Sequence, residues 1–181
     1  MNDVLQKVEL RAVKPSRTEF LTRARRPIRV ILDGVVGNYN IGASFRLCDA
    51  MLIERLIICG PSFELRKRKI TQASQGAQHW VPWEHVQSTE QAVADARAIG
   101  YQIVAVELTT SSIRPHEYVP RFPLCVVIGA ERTGVSPSVV RAADVTLAIP
   151  MLGMANSLNL ATAAAVVLYE ICKHCPETID P

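Results

Sequence analysis

Five short runs that are apolar at nearly every position set the frame for this chain: residues 28–33, 53–59, 101–108, 124–129 and 144–149. A strand with one face in water alternates polar and apolar residues, whereas a strand buried on both faces does not. Stretches of helical spacing separate these runs, at 43–51, at 89–100, from Ser136-Pro137 onward and at 157–174. Thr89 and Gly100 read as a helix cap and stop, and Ser136-Pro137 stands in the favoured N-cap and N1 order. Buried strands alternating with helices mean a mainly parallel sheet covered on both faces, so the fold class is α/β. The 181 residues fit one domain. Its expected bounds are 28–175, after a basic extension at 1–27 and before a short tail at 176–181. The polar stretch 62–88 is too long for a structureless loop, so it hides structure or serves function.

With 49% apolar and 20% charged residues the composition is that of an ordinary soluble globular protein. No apolar run approaches the ~20 residues that cross a bilayer. The N-terminus also lacks the layout of a secretory signal, so a cytoplasmic location is expected. Five cysteines, three of them inside apolar runs, fit reduced buried thiols better than a disulfide framework. Cys172 and Cys175 form a lone C-x-x-C without the further ligands a zinc site needs, and a frayed helix end is the expected setting. No metal is expected.

Charge is segregated. Between Arg11 and Arg29 lie seven basic residues against one acid, Glu19, and Arg66-Lys67-Arg68-Lys69 has none; the total is only +3, so the remainder is acidic. Clustered positive charge is the footprint of a polyanion binder. Arg23, Arg25, Arg26, Arg66, Lys67, Arg68 and Lys69 are the candidate nucleic-acid contacts, and charge alone does not say which nucleic acid. His79 and Trp80 either stack on a base or anchor their loop.

Ligands of open α/β sheets bind at the carboxyl ends of strands. Three segments there are rich in glycine and polar residues: 38–46, 129–134 and 150–159. The chain has no G-x-G, no Walker A sequence and no G-x-S-x-G elbow, which removes the commonest α/β cofactor and hydrolase readings. Each segment also has an ordinary reading. Asn40 and Gly42 serve as turn residues, Arg46 as a surface charge, Glu131 as a partner of Arg132, and Ser157 with Asn159 as a helix cap.

Taken together, N-x-G-x-x-x-R (Asn40, Gly42, Arg46), V-I-G-A-E-R-T-G (127–134) and I-P-M-L-G-M-A-N-S-L-N (149–159) resemble the three ordered motifs of the SpoU, or TrmH-type, RNA ribose methyltransferases. The resemblance covers roughly residues 28–173. It implies a knotted methyltransferase fold with a C-terminal trefoil knot, a feature ordinary topology rules disfavour. It also implies S-adenosylmethionine as methyl donor, a homodimer, and transfer to a ribose 2′-hydroxyl of a structured RNA, with tRNA favoured. By motif, Gly129, Ile149 and Leu158 line the donor cleft, with Val106, at the end of the preceding strand, as a further candidate. Arg46, Asn40, Glu131, Ser157 and Asn159 form the catalytic set. Arg46 matches the residue assigned to activating the hydroxyl, yet a guanidinium with a pKa above ~12 is a poor base. Stabilising the developing alkoxide suits it better. The family's enzymes for the tRNA D-loop guanosine commonly continue past the closing helix, whereas this sequence stops soon after it. The alternatives are a ribosomal RNA target, a knotted enzyme methylating a base, and a non-catalytic RNA-binding module.

Overall fold

The computed structural model describes residues 14–175. Arg11 and the tail at 176–181 lie outside the described residues. Six strands form one parallel sheet: β1 (Arg26–Asp33), β2 (Ile53–Cys59), β3 (Trp83–Val86), β4 (Gln102–Val106), β5 (Leu124–Gly129) and β6 (Val145–Leu147), in the order β3-β2-β1-β5-β4-β6. Among the described residues the helices are α1 (Arg17–Thr22), α2 (Asn38–Ala50), α3 (Arg68–Ser74), α4 (Thr89–Ala98), α5 (Pro137–Ala142) and α6 (Leu160–Cys172).

The continuous apolar runs are explained by two cores. Ile28, Val30 and Leu32 of β1, Leu56 and Ile58 of β2, and Leu124, Val126 and Ile128 of β5 join a core with Ile41 and Phe45 of α2, Ile70 of α3 and Val167 and Leu168 of α6. The intervening residues Ile31, Ile57, Cys125 and Val127 join a second core with Ala92, Val93 and Ala96 of α4 and Val139 of α5. Alternate residues of one strand point to opposite faces, so each run is apolar at most positions, and Arg29 of β1 pairs with Glu54 of β2 at 2.9 Å where the pattern is interrupted. Full burial of each such aliphatic side chain contributes about 1.5–3 kcal/mol, which makes these strands the stable centre of the fold.

Several boundaries differ from those read in the sequence. Helix α2 begins at Asn38, five residues before the expected 43, so Asn40 and Gly42 are helical rather than turn residues. Both are weak helix formers, and tertiary contacts override the propensity. Asn40 is buried and hydrogen-bonded, and Gly42 lets α3 approach α2 closely. A Cβ at Gly42 would lie 2.6 Å from the Ile70 carbonyl oxygen and 2.8 Å from Ala73 Cβ. Gly42→Ala gains up to ~1 kcal/mol of helix propensity but overpacks this contact by ~1–3 kcal/mol. Net destabilisation is therefore expected in urea unfolding.

The cap of α4 is Ser88, whose hydroxyl accepts from the Gln91 N–H at 3.2 Å, and not Thr89. Thr89 is buried and donates to Asp33 at 2.6 Å. The stretch 62–88 contains α3, a 3-10 turn (Ala77–His79) and the edge strand β3. Cys175 is packed into the first core rather than lying on a frayed end, and Arg26 donates to the Cys172 carbonyl at 2.6 Å. All five cysteines are free. Burial pushes the thiols of Cys59 and Cys172 up to about 11 and that of Cys125 to about 12.

Strand order sets the place of the site. After β1 the chain moves to β2 on one side, whereas after β5 it moves toward β6 on the other. A crevice opens beyond the carboxyl ends where connections part in this way.

Candidate active site

The three polar segments converge at that crevice within a single chain. Asn40, in the first turns of α2, donates through Nδ2 to Oε1 of Glu131, which follows β5. Asn159 Nδ2 donates to the same Glu131 oxygen at 2.9 Å and to Asn40 Oδ1 at 3.1 Å. The remaining Asn159 oxygen accepts from the Ala161 N–H at 2.9 Å and so caps α6. Residues separated by 91 and 119 positions thus share one closed hydrogen-bonded triangle. Asn159, not Ser157, is the N-cap of α6, and Ser157 is left exposed. Oε2 of Glu131 has no hydrogen bond among the described residues and remains available to a ligand.

This geometry separates two roles of Asn159. Asn159→Ser keeps a good N-cap, so stability is expected to change by less than ~1 kcal/mol in thermal unfolding. The link to Asn40 and Glu131 is lost, and a fall in activity of at least tenfold is expected in initial-rate assays, since buried Asn40 then loses the donor to its amide oxygen.

Beside the triangle lies a cleft of about 1090 Å³. Gly129, Ile149, Leu158 and Val106 all line it, as do Glu131 and Ser157. Its walls are the ends of β4, β5 and β6 and the segment 148–158, mostly apolar or backbone. Gly129 and Gly134 bring two stretches of backbone into contact there: a Cβ on Gly129 would overlap the Gly134 carbonyl group. The volume is ample for a nucleoside-sized ligand, and exposed main-chain groups suit the edges of a purine.

Arg46 stands apart from the triangle. It is exposed on α2, makes no hydrogen bond or ion pair among the described residues, and does not line the cleft. At seven residues from Tyr39 it shares that residue's helix face, and Tyr39 is 62% exposed. Glu131 therefore holds Asn40 and Asn159 and not Arg46.

The basic clusters divide. Arg66, Lys67, Arg68 and Lys69 are all exposed at the start of α3. Arg25 is spent on the fold instead: it donates to the Ile53 and Trp80 carbonyls and lies over the Phe20 ring at 5.3 Å. Arg26 ties β1 to the end of α6 through the Cys172 carbonyl. Arg23 is partly buried. Trp80 anchors its loop, since Nε1 donates to Asp49 at 2.7 Å, while His79 is exposed.

Two acids at strand ends escaped the sequence reading. Asp33, 6% exposed, accepts from Thr89 Oγ1 at 2.6 Å and from the Ser136 N–H at 2.7 Å, so it joins the starts of α4 and α5. Glu107, just after β4, lines the cleft and accepts from the Val135 N–H at 2.8 Å. The available signal was an acid at the carboxyl end of an apolar strand.

Comparison with known proteins bears on what this site does. The sequence profile described as the SpoU rRNA Methylase family matches residues 27–169. The tRNA (guanosine(18)-2′-O)-methyltransferase of Aquifex aeolicus is 36% identical over 153 residues, which cover 84% of this chain and 72% of that protein. The Escherichia coli protein of the same name is 31% identical, over 84% of this chain and 66% of its own length. Among solved structures, an AdoMet-bound rRNA methyltransferase from Sinorhizobium meliloti superposes with a TM-score of 0.75 at 29% identity, covering 81% of this chain and 56% of that one.

Proposed function

The chain belongs to the SpoU methylase family, and from that premise we propose that it transfers a methyl group from S-adenosylmethionine to a ribose 2′-hydroxyl of a structured RNA, with tRNA as the substrate. The observation that carries this reading is the Asn40–Glu131–Asn159 triangle, which draws three distant segments together at the mouth of a nucleoside-sized cleft. The Aquifex aeolicus and Escherichia coli relatives act on tRNA by name, and the Sinorhizobium meliloti neighbour, an rRNA methyltransferase by name, is an AdoMet complex.

The residues fit such a donor. Gly129, Ile149, Leu158 and Val106 offer backbone and apolar surface along the cleft, and Ser157 offers a hydroxyl at its rim. When bound, the sulfonium supplies an electrophilic methyl. In-line transfer then depends chiefly on positioning. Glu131 fixes Asn40 and Asn159 and keeps one carboxylate oxygen for the acceptor ribose or a water. Arg46 contributes a permanent positive charge to the developing alkoxide, and a phosphate or water takes the proton. Arg66, Lys67, Arg68 and Lys69, exposed on one stretch, suit the phosphates of the approaching RNA. Arg25 and Arg26 do so less, being engaged by the fold.

A homodimer belongs to the same reading. Val166 and Tyr169 share the exposed face of α6, and Leu152 and Met154 beside the cleft are almost fully exposed, surface that a second copy would cover. The family's trefoil threading and a cytoplasmic site of action are part of it as well. No helix among the described residues is long and apolar enough to cross a membrane.

The test is incubation with methyl-labelled donor and total RNA, followed by nucleoside mass spectrometry. Label in a 2′-O-methylated nucleoside of the tRNA fraction is expected. A methylated base, label confined to ribosomal RNA, or no transfer to any RNA would each replace this reading by another.

A further inference from the structure

We propose that Glu107 reads the ribose hydroxyls of the methyl donor's nucleoside, an inference that rests on the donor reading of the cleft given above. Its carboxylate lies in the wall of the cleft just beyond β4. Oε2 accepts from the Val135 N–H at 2.8 Å, and Oε1 from the Leu108 N–H at 3.0 Å. An ionised carboxylate offers about four acceptor positions, so each oxygen retains one. No cation pairs with Glu107 among the described residues. Two fixed oxygens, each with a spare lone pair, match two vicinal hydroxyls.

Placement favours the sugar over the amino-acid end of the donor. The triangle stands beyond β1 and β5, while Glu107 closes the end of β4 on the far side of β5. Two strand spacings separate β1 from β4, roughly 10 Å. If transfer occurs at the triangle, the sulfur lies there. The sugar, one carbon away, extends along the crevice toward β4.

Glu107 also has a purely structural use. It sits against Gly134, where any side chain would strike its carboxylate, and it holds Val135 in place. The experiment must separate the two.

Calorimetry on the intact protein supplies the separation. S-adenosylhomocysteine binding to the unaltered protein reports on the cleft itself. 5′-Methylthioadenosine, which lacks the amino acid, and its 2′,3′-dideoxy counterpart report on Glu107. The unaltered protein is expected to bind the dideoxy compound at least tenfold more weakly than 5′-methylthioadenosine, the size expected for losing hydrogen bonds to a charged group. In Glu107→Gln that difference is expected to shrink to about twofold or less, with 5′-methylthioadenosine weakened and the dideoxy compound little changed.

Equal binding of the two nucleosides by the unaltered protein overturns the proposal without using any variant. Equal weakening of both by Glu107→Gln makes the residue structural only. Weakened S-adenosylhomocysteine with unchanged 5′-methylthioadenosine would assign the carboxylate to the donor's ammonium instead. Failure of S-adenosylhomocysteine to bind at all would remove the donor reading and this inference with it.

Discussion

Replacing Arg46 with alanine is expected to lower methyl transfer by about a hundredfold to a thousandfold, the range found when a donor to a developing oxyanion is removed. Affinity for S-adenosylhomocysteine is expected to stay within about twofold, because a group outside the cleft contributes nothing to uniform binding of the donor. Arg46 is exposed, unpaired among the described residues and absent from the cleft wall. Its removal therefore leaves no buried partner stranded, and stability should move by less than ~0.5 kcal/mol. Arg46→Lys keeps the charge but loses the planar fork, so partial activity is expected. Loss of donor binding with preserved turnover would sink the assignment.

The distance between Arg46 and the triangle adds a second readout. An exposed guanidinium on the Tyr39 face of α2 can meet an acceptor held by its own chain or by a partner. Chains carrying Arg46→Ala and chains carrying Asn159→Ser are each expected to be nearly inactive. In a symmetric dimer with composite sites, random mixing would leave about one quarter of all sites with both native groups. Activity recovered on mixing places Arg46 across the interface. No recovery places it within its own chain.

Legibility of the sequence followed the strength of the physical signal. The bounds of β2 and β5 could be read to the residue: β5 is apolar from Leu124 to Ile128, and β2 opens on Ile53 and closes in the apolar run 56–59 despite Glu54 and Arg55. The start of α2 could not, since Asn40 and Gly42 resemble turn residues and only their contacts with Glu131 and Ile70 make them helical. Ser88 and Thr89 are both competent caps. The choice between them is made by Asp33, 56 residues away, which claims the Thr89 hydroxyl. The same holds at the site. Motif order placed Gly129, Ile149 and Leu158, and strand position Val106, on what proves to be one cleft, yet Glu107 carries no motif, and its role depends on the Val135 N–H across a turn. Charge counting grouped Arg25 and Arg26 with the phosphate binders. Only coordinates reveal that carbonyls at Ile53, Trp80 and Cys172 already occupy them.

Gly129→Ala is the substitution with the greatest expected structural cost. Gly129 ends β5 and pairs in register with Asp33 of β1. Its backbone conformation is open to any residue; only space forbids a side chain. The turn after it folds back so that the Gly134 N–H reaches the Ala130 carbonyl at 2.8 Å, which lays Gly134 and Val135 directly over Gly129. A methyl group there meets backbone, which cannot rotate away as a side-chain tip can. The turn must lift, and two contacts lift with it: Glu131 to Asn40 and Asn159, and the Val135 N–H to Glu107. Overpacking plus the loss of these hydrogen bonds is expected to cost about 2–4 kcal/mol in urea unfolding. S-adenosylhomocysteine binding should weaken at least a hundredfold, because the cleft floor and the triangle move together. Gly153→Ala supplies the contrast, since no atom lies within 4 Å of its added Cβ, and stability should hold within ~0.5 kcal/mol. If Gly129→Ala unfolds like the unaltered protein and binds S-adenosylhomocysteine normally, the turn is pliant and the triangle does not depend on it.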